Sequence, residues 1–183
     1  QVFVPQGKSP SITIEAQKDV LPGLQTRVQN GSLDIFYKVS DGERINPTKP
    51  VKITIVVADL NEVAFDSAGE LSIDGLEVDE LELSISGAGN LKLNGIATKN
   101  LVVSLSGVGS MTASGETDEF SLNISGFGSF DGKDLKSRTA DVSLSGAGSA
   151  TIWVEDELDA EVSGVGSVNY YGSPNVTKQI SGI

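Results

Sequence analysis

Any catalysis by this chain would depend on carboxylates, Lys, Arg or Tyr, because its 183 residues include no histidine and no cysteine. Without those residue types the chain has no Ser-His-Asp or Cys-His nucleophile and none of the usual zinc sites. Asp141 and Asp159 stand at the same position of neighbouring sequence repeats. Since a glycoside hydrolase needs two carboxylates about 5–9 Å apart, these aspartates are the candidates for catalysis.

The other candidate site is an aromatic pair, Trp153 and Tyr171. Each lies thirteen residues into its repeat, in a column that also contains Asn94, Ser114 and Lys133 and that we expect to face outward. Trp and Tyr are common at binding sites because their rings combine apolar and polar surface. The pair is therefore either a sugar-stacking platform, or a subunit contact that covers the last coil. Alternatively, both rings cap the open end and bind no ligand.

The net charge of −12 excludes some classes of partner. Nucleic-acid binding depends on Lys and Arg, and anionic membranes repel an acidic protein. The charge is also uneven, with 7 Lys/Arg and 6 Asp/Glu in residues 1–60 but 6 and 19 in residues 61–183. The sequence has no stretch long enough for a transmembrane helix and does not begin with a signal peptide.

The repeats indicate the elements that must position these residues. A Ser-Gly-x-Gly motif occurs five times, and its second glycine recurs at steps of 20, 19, 20 and 18 residues. Around each motif apolar and polar residues alternate with period two, which is typical of a strand with one buried face. A unit this short cannot bury its apolar face alone and must stack on its neighbours. The first apolar column comprises Leu81, Leu101, Phe120, Ala140, Leu158 and Val176.

The fold predicted from this pattern is all-β, a right-handed, single-stranded parallel β-helix with about 18–20 residues per coil. The competing fold is an antiparallel sandwich, which would need a hairpin at every turn. Residues 61–183 form the coils, and strands within residues 1–60 cap the first coil as part of the same structural domain. We expect those strands at residues 2–4, 11–14, 32–39 and 51–57, turns at Gly7, 30–31 and 41–42, and a single helical turn within 19–28.

The glycine motif is interpreted as a tight corner. We expect the second glycine of each motif to have positive φ, and the residue between the glycines to point into the core. Phe120, Phe127 and Phe130 should then meet inside the coil, opposite alanines of the next coil. The corner glycines are Gly87, Gly89, Gly107, Gly109, Gly126, Gly128, Gly146, Gly148, Gly164 and Gly166.

Metal and cofactor sites are not expected. A phosphate-binding loop leads into a helix, and no repeat offers one. Calcium-binding nonapeptides have the pattern Gly-Gly-x-Gly-x-Asp. Here the residue that follows the second corner glycine is Asn or Ser and never Asp. The acidic run EDELDAE at residues 155–161 could hold a loose cation, although such a run is more often a solvated loop.

The repeats "SGAGN", "SGVGS" and "SGFGS", the closing "KQISGI" and the opening "VFVPQGKSPSITIEAQKDVLPGLQTRVQNGSLDIFYK" resemble the bacterial head GIN domain family of autotransporter adhesins. The resemblance covers nearly the whole chain. It implies a parallel β-helix exported to the bacterial envelope, with a signal peptide that precedes Gln1. It implies no catalytic motif.

Two classes of function follow. The first is a non-catalytic, extracytoplasmic binding or adhesin-like module, secreted, periplasmic or attached to the outer membrane. It would bind a glycan or a cell-surface protein, and it could form homo-oligomers through its open C-terminal coil. The alternative is a carbohydrate-active enzyme, a polysaccharide hydrolase or lyase that uses Asp141 and Asp159. Fold analogy alone supports the enzyme, so the binding module is the preferred interpretation.

Overall fold

In the computed structural model, which describes residues 1–38 and 48–182, the chain is a parallel β-solenoid of about six turns. Strands account for 75% of it and helix for 2%. None of the described helical residues forms a segment long and apolar enough to span a membrane. The predicted all-β solenoid is confirmed.

The coils are built from parallel strands that pair with the equivalent strand one repeat away. The strands of the middle coils are long and bend around most of a coil, whereas the first and last coils are divided into shorter strands. The strands are β6 (Glu62–Phe65), β7 (Gly69–Asp74), β8 (Glu77–Ile85), β9 (Ala88–Leu105), β10 (Val108–Ile124), β11 (Phe127–Leu144), β12 (Ala147–Val162), β13 (Val165–Tyr171) and β14 (Asn175–Ile180). Residues of the same column are therefore direct neighbours, as in the pair Leu122 and Val142.

Three of the five N-terminal strands extend the sheet of the first coil, namely β1 (Val2–Pro5), β2 (Ser11–Glu15) and β5 (Lys52–Val56). Strand β1 pairs in parallel with β7 on one side and β5 on the other, and β2 pairs antiparallel with β5 as the outermost strand. The remaining two strands, β3 (Leu24–Gln29) and β4 (Ser32–Tyr37), form a separate hairpin with Asn30 and Gly31 at its turn, both with positive φ.

Two details of this region differ from the sequence prediction. The helical turn is a single 3₁₀ turn at Leu21–Gly23, as expected, but it leads directly into β3, which the pattern did not reveal. Its sequence, LQTRVQ, is mostly exposed and has only weak alternation. The turn predicted at residues 41–42 and the end of the strand predicted at 32–39 lie outside the described residues.

The core is a stack of apolar columns inside the coils, with large side chains placed against small ones. Phe120 and Phe130 are buried, and their ring centroids are 5.3 Å apart. Their register partners in the next coil are Ala140 and Ala150, which are also buried. Alternating large and small residues fills the interior without voids or overlap. This part of the prediction is confirmed.

The residue between the two corner glycines faces solvent, so the predicted inward orientation is wrong. Phe127 is 69% exposed, Val108 59% and Val165 63%. The period-two alternation continues through the corner without interruption. Ile85 and Leu91 are both buried, so the inward positions between them fall on Gly87 and Gly89.

Positive φ at the corner glycines is also wrong. Among the described residues, the glycines with positive φ are Gly31, Gly69, Gly75, Gly95, Gly115 and Gly172. The corners require glycine for space instead. At nine of the ten corner glycines an added Cβ would overlap a backbone oxygen of the preceding coil. The exception is Gly128, whose Cβ would lie 3.0 Å from the oxygen of Gly109.

The close approach lets the backbone of each corner bond to the corner before it. The amide of Val108 donates to the carbonyl of Gly87 at 3.1 Å, and that of Phe127 donates to the carbonyl of Gly107 at 3.0 Å. The same bond joins the next two corners. A side chain at these positions would separate the coils and break the ladder, because strands in a sheet lie only about 4.8 Å apart.

The last coil has an open face. In the described part of the chain, β13 and β14 pair with β12 and with no strand on their other side. As a result Tyr170, Val176 and Ile180 are exposed, although their columns are buried in earlier coils. Lys178 stands in one of these inward columns, opposite Ala160. An inward-pointing charge on an edge strand opposes edge-to-edge pairing.

Candidate functional site

The solenoid brings the predicted aromatic pair together. Trp153 near the middle of β12 and Tyr171 at the end of β13 are register partners, and their rings stack with centroids 6.1 Å apart and planes inclined by 29°. The ammonium of Lys136 lies 5.4 Å from the centroid of the Trp153 ring. The predicted column is wrong below Trp153, because an irregularity between Gly132 and Lys136 makes Lys136 its neighbour in place of Lys133.

This arrangement limits what the rings can bind. Lys136 comes from the coil before Trp153 and Tyr171 from the coil after it, so both faces of the indole are covered. The ring face of Tyr171 that points away from Trp153 is uncovered, and the residue is 51% exposed. A sugar could therefore stack on Tyr171 but could reach only the edge of Trp153.

The aromatic stack continues a column that runs along the side of the solenoid. In successive coils it contains Glu77, Ala97, Glu116 and Lys136. A parallel column two residues further on contains Asp79, Lys99, Asp118 and Arg138. Between them lies a groove with a volume of about 740 Å³, lined by both columns and ending at Glu155. We call it the longitudinal groove.

Hydroxyl groups form the floor of the longitudinal groove. Thr117 and Ser137 are buried there, and Thr98 is half-buried. The hydroxyl of Thr117 donates to the carbonyl of Glu119 at 3.0 Å, and that of Ser137 donates to the carbonyl of Trp153 at 2.7 Å. Each hydroxyl thus satisfies a backbone acceptor within the fold and keeps an oxygen that can accept a hydrogen bond.

The two sides of the groove carry charges of both signs. Lys99 donates to Asp79 at 2.8 Å. This hydrogen bond and the attraction of the carboxylate raise the pKa of Lys99 above its ordinary value, and Asp118 adds a smaller effect in the same direction. Lys136 and Arg138 take part in none of the salt bridges formed among the described residues. The groove therefore has two cations available to a ligand.

The aspartates proposed for catalysis lie on another side of the solenoid. Asp141 and Asp159 are register partners in neighbouring coils, and both are exposed. Asp141 lines a second depression of about 550 Å³ together with Glu62, Glu80, Glu82 and Glu119, and without any lysine or arginine. The structure places the two carboxylates together on an open acidic surface.

The acidic run at residues 155–161 is not a loop, contrary to the sequence interpretation. It belongs to β12, and its alternation continues with Leu158 and Ala160 buried and the acidic residues exposed. No group of three or more His, Cys, Asp or Glu side chains in the described ranges could hold a metal ion.

Comparisons with known proteins place this fold in a family. A family model described as "Putative auto-transporter adhesin, head GIN domain" matches residues 1–174. The chain belongs to the head GIN domain family. The family resemblance inferred from the repeats is therefore confirmed.

Solved structures agree with this assignment of the head GIN domain. A "putative adhesin" from Bacteroides fragilis is 26% identical, with a TM-score of 0.95 over 100% of this chain and 84% of the other. A "putative lipid binding protein" from Parabacteroides distasonis has 23% identity and a TM-score of 0.72 over 99% and 85%. A "putative adhesin" from Parabacteroides merdae has 21% identity and a TM-score of 0.70 over 100% and 85%. The last two show the fold alone. No curated protein matches this head GIN domain at a significant level.

Sequence reasoning missed the longitudinal groove, although a signal for it is present. Four residues before the first apolar column of each repeat, the chain reads Glu-Val-Asp, Ala-Thr-Lys, Glu-Thr-Asp and Lys-Ser-Arg. These triplets begin at residues 77, 97, 116 and 136. Two outward positions flank one inward position in every triplet, so stacking them predicts two charged columns with a hydroxyl-rich floor.

Proposed function

We propose that this head GIN domain is a non-catalytic, extracytoplasmic binding module of the adhesin type. The observation that carries the proposal is the longitudinal groove, whose side chains change from coil to coil while the backbone beneath them repeats. The adhesin description of the family and of the Bacteroides fragilis relative supports this role. A rigid scaffold with variable outward side chains suits recognition, because a preformed site loses little conformational entropy on binding.

The partners that fit are glycans and cell-surface proteins. The charge of −12 opposes binding to nucleic acids and to anionic membranes. An envelope or outer-surface location follows from the adhesin role. Homo-oligomers would form through the open face of the last coil, by contact of the exposed Tyr170, Val176 and Ile180, although Lys178 on the same face opposes direct strand pairing.

A binding screen tests this function. The purified domain is applied to arrays of glycans and extracellular-matrix proteins and to intact bacterial and epithelial cells. We expect saturable binding to at least one of these ligands, weakened by the double substitution Lys136→Ala and Arg138→Ala in the groove. The control is Lys92→Ala, because Lys92 is an exposed lysine of β9 outside the groove. Absence of binding to every array component and every cell type would contradict the proposal.

The alternative, a polysaccharide hydrolase or lyase, is favoured by one observation. Asp141 and Asp159 occupy neighbouring coils, about one strand spacing or roughly 4.8 Å apart along the solenoid. This approaches the carboxylate separation of a retaining glycosidase, about 5 Å. A reducing-end assay on a polysaccharide panel distinguishes the two functions. Turnover that is lost in the Asp141→Asn variant would replace the binding module with an enzyme.

A further inference from the structure

The longitudinal groove has a shape and a chemistry that select one class of ligand. We infer that it binds a single extended chain of a neutral polysaccharide, laid parallel to the solenoid axis. This inference rests on the proposed binding function and names the ligand class and the site. Three independent features of the groove carry it: its period, its hydrogen-bonding groups and its net charge.

The period of the groove matches a chain of sugars better than a peptide. Neighbouring coils are roughly 4.8 Å apart, so the groove from Glu77 to Glu155 spans four coil steps, about 19 Å. A pyranose unit in an extended polysaccharide is about as long as one coil step. Successive sugars would therefore meet equivalent positions of successive coils. An extended peptide places side chains of one face roughly 6.6 Å apart and would lose register after one or two steps.

The groups that line the groove suit hydroxyl-rich ligands. A sugar hydroxyl both donates and accepts hydrogen bonds. Glu116 and Asp118 accept on one coil, and Lys136 and Arg138 donate on the next. Charge-assisted hydrogen bonds of this kind are stronger than neutral ones. A ligand with only donors or only acceptors would leave half of these groups unpaired.

The charge of the groove selects neutral chains over acidic ones. Three cations line it, Lys99, Lys136 and Arg138, and Lys99 is already bound to Asp79. The five carboxylates that line it are Glu77, Asp79, Glu116, Asp118 and Glu155. The groove is thus net negative on a protein of charge −12. The net negative charge would oppose binding of a polyuronate, whereas a neutral polysaccharide would meet no such repulsion.

The aromatic stack continues the Lys136 side of the groove beyond its lining residues. The ammonium of Lys136 lies over the Trp153 ring in a cation–π contact and forms no salt bridge among the described residues. Tyr171 continues the same column and offers its uncovered ring face. The last sugar of a bound chain would stack there, so Trp153 acts as a positioning residue and Tyr171 as a contact residue.

Titration calorimetry with oligosaccharides of defined length tests the inference. The probes are gluco-, xylo- and manno-oligosaccharides of two to six units, and oligogalacturonates as the acidic comparison. Affinity for at least one neutral series should rise with chain length until about four or five sugars fill the groove. Oligogalacturonates of equal length should bind at least tenfold more weakly.

Substitutions of groove residues test whether the oligosaccharide binds in the groove. Lys136→Ala with Arg138→Ala should reduce the affinity for the hexasaccharide by about tenfold or more, as expected when charge-assisted hydrogen bonds are lost. Lys133→Ala is the matched control, because Lys133 lies on the same strand outside the groove and should bind like the wild type. If the double variant fails to fold by circular dichroism, Glu116→Gln and Asp118→Asn replace it with the same expectation.

The failures of the inference and of the proposed function are distinguishable. Binding to matrix proteins or cells without binding to any neutral oligosaccharide would overturn the inference and leave the adhesin role intact. Sugar binding that does not depend on chain length, prefers oligogalacturonate or ignores the groove substitutions would also overturn it. Failure on sugars, proteins and cells alike would remove the proposed function itself.

Discussion

The glycine corner and the longitudinal groove lie on the same coils, but the corner repeats the same motif from coil to coil whereas the groove residues vary. At the corner, five successive coils repeat Ser-Gly-x-Gly, because a Cβ at nearly every one of these glycines would overlap the coil before. In the groove, equivalent positions read Glu, Ala, Glu, Lys, Trp and Tyr. Parallel strands pair in both regions, although the register is irregular in and beside the groove, as between Ser137 and Thr139, and uninterrupted at the corner. The difference in sequence variation follows from where the side chains point.

This difference shows how a repeat sequence separates structure from recognition. A column is forced to repeat where its side chains enter the packed interior or the narrow gap between corners. It is free to vary where they point into water. Repetition inside a single chain therefore marks a constraint of the fold, and loss of repetition in a concave region marks a surface on which ligand contacts can be encoded. The experiments below test whether that division is correct.

The largest expected effect concerns the core beside the corner. Replacing the buried Phe130 with alanine should lower the free energy of unfolding by about 3–5 kcal/mol, since the loss of a buried ring leaves a cavity. Phe127→Ala is the control three residues away, and its exposed ring should contribute within about 0.5 kcal/mol. Urea denaturation of the two variants measures the contrast. Equal losses would mean that the corner residue is packed and that the assignment of faces is wrong.

The next effect concerns the corner glycines themselves. Gly148→Ala should destabilise the domain by about 1–3 kcal/mol, because its Cβ would meet the carbonyl of Gly128 and force the coils apart. Gly128→Ala offers the matched comparison, since its nearest backbone atom would be 3.0 Å from the new Cβ. Its loss of stability, read from the same denaturation curves, should be clearly smaller. If both variants lose the same amount, close approach between coils is not what requires glycine.

Much of the fold was predictable because each coil of the solenoid repeats similar residue types at a nearly constant spacing. The spacing of the glycines and the period-two columns were sufficient for parallel coils, inward columns and the match of Phe120 and Phe130 with Ala140 and Ala150. The orientation of the corner was predictable as well, since Leu91 is six positions after Ile85 and strict alternation leaves residue 88 outside. We instead expected the glycine motif to bend the chain through positive φ, and therefore did not continue the alternation through the corner.

The site was less predictable, because its side chains vary from coil to coil and only the charged character of the triplets at residues 77, 97, 116 and 136 signals it. Trp153 and Tyr171 were found since they are rare residues in one column, but Lys136 replaced Lys133 at a local irregularity that spacing alone does not show. Strand β3 was missed for a similar reason, since its exposed residues carry little alternation. The longitudinal groove depends on the concave shape of the coil, which the columns do not specify.

A third experiment tests the aromatic stack of Trp153 and Tyr171 beside the groove. Tyr171→Ala should cost about 0.5–1.5 kcal/mol, the usual value of an aromatic pair. It should also expose one face of Trp153, the only tryptophan in the chain, so that its emission shifts to the red and acrylamide quenches it more strongly. Tyr170→Ala is the control, because that neighbouring ring is not stacked on Trp153. Identical spectra for both variants would show that the stack does not persist in solution.

The smallest effect on stability is expected for the ion pairs. One pair lies in the groove and another outside it, so their contributions can be compared. Lys92 and Glu70, on β9 and β7, form a cross-coil pair outside the groove with nitrogen and oxygen 2.6 Å apart, and Lys99 and Asp79 form one inside it. The hydrogen bond from Lys92 and the charge of Lys92 lower the pKa of Glu70 below its ordinary 4.5. The same hydrogen bond and the charge of Glu70 raise the pKa of Lys92 above 10.5. Lys92 is exposed and Glu70 is half-buried at the surface. Surface pairs of this kind add little to stability and are weakened by salt.

The sign of the pH dependence follows from these shifts. A carboxylate with a lowered pKa stabilises the fold above its ordinary pKa, and that contribution is lost as the pH falls through the lower value of the folded state. The advantage of wild type over Glu70→Gln should therefore be small at neutral pH and disappear in acid below pH 4.5. On the alkaline side it should disappear as the pH rises past 10.5 and through the raised pKa of Lys92. The advantage of wild type over Asp79→Asn should likewise disappear at alkaline pH, as the pH rises through the raised pKa of Lys99. A much larger or salt-independent loss for Asp79→Asn would mean that the groove charges hold the coils together, and that their variation does not signal recognition.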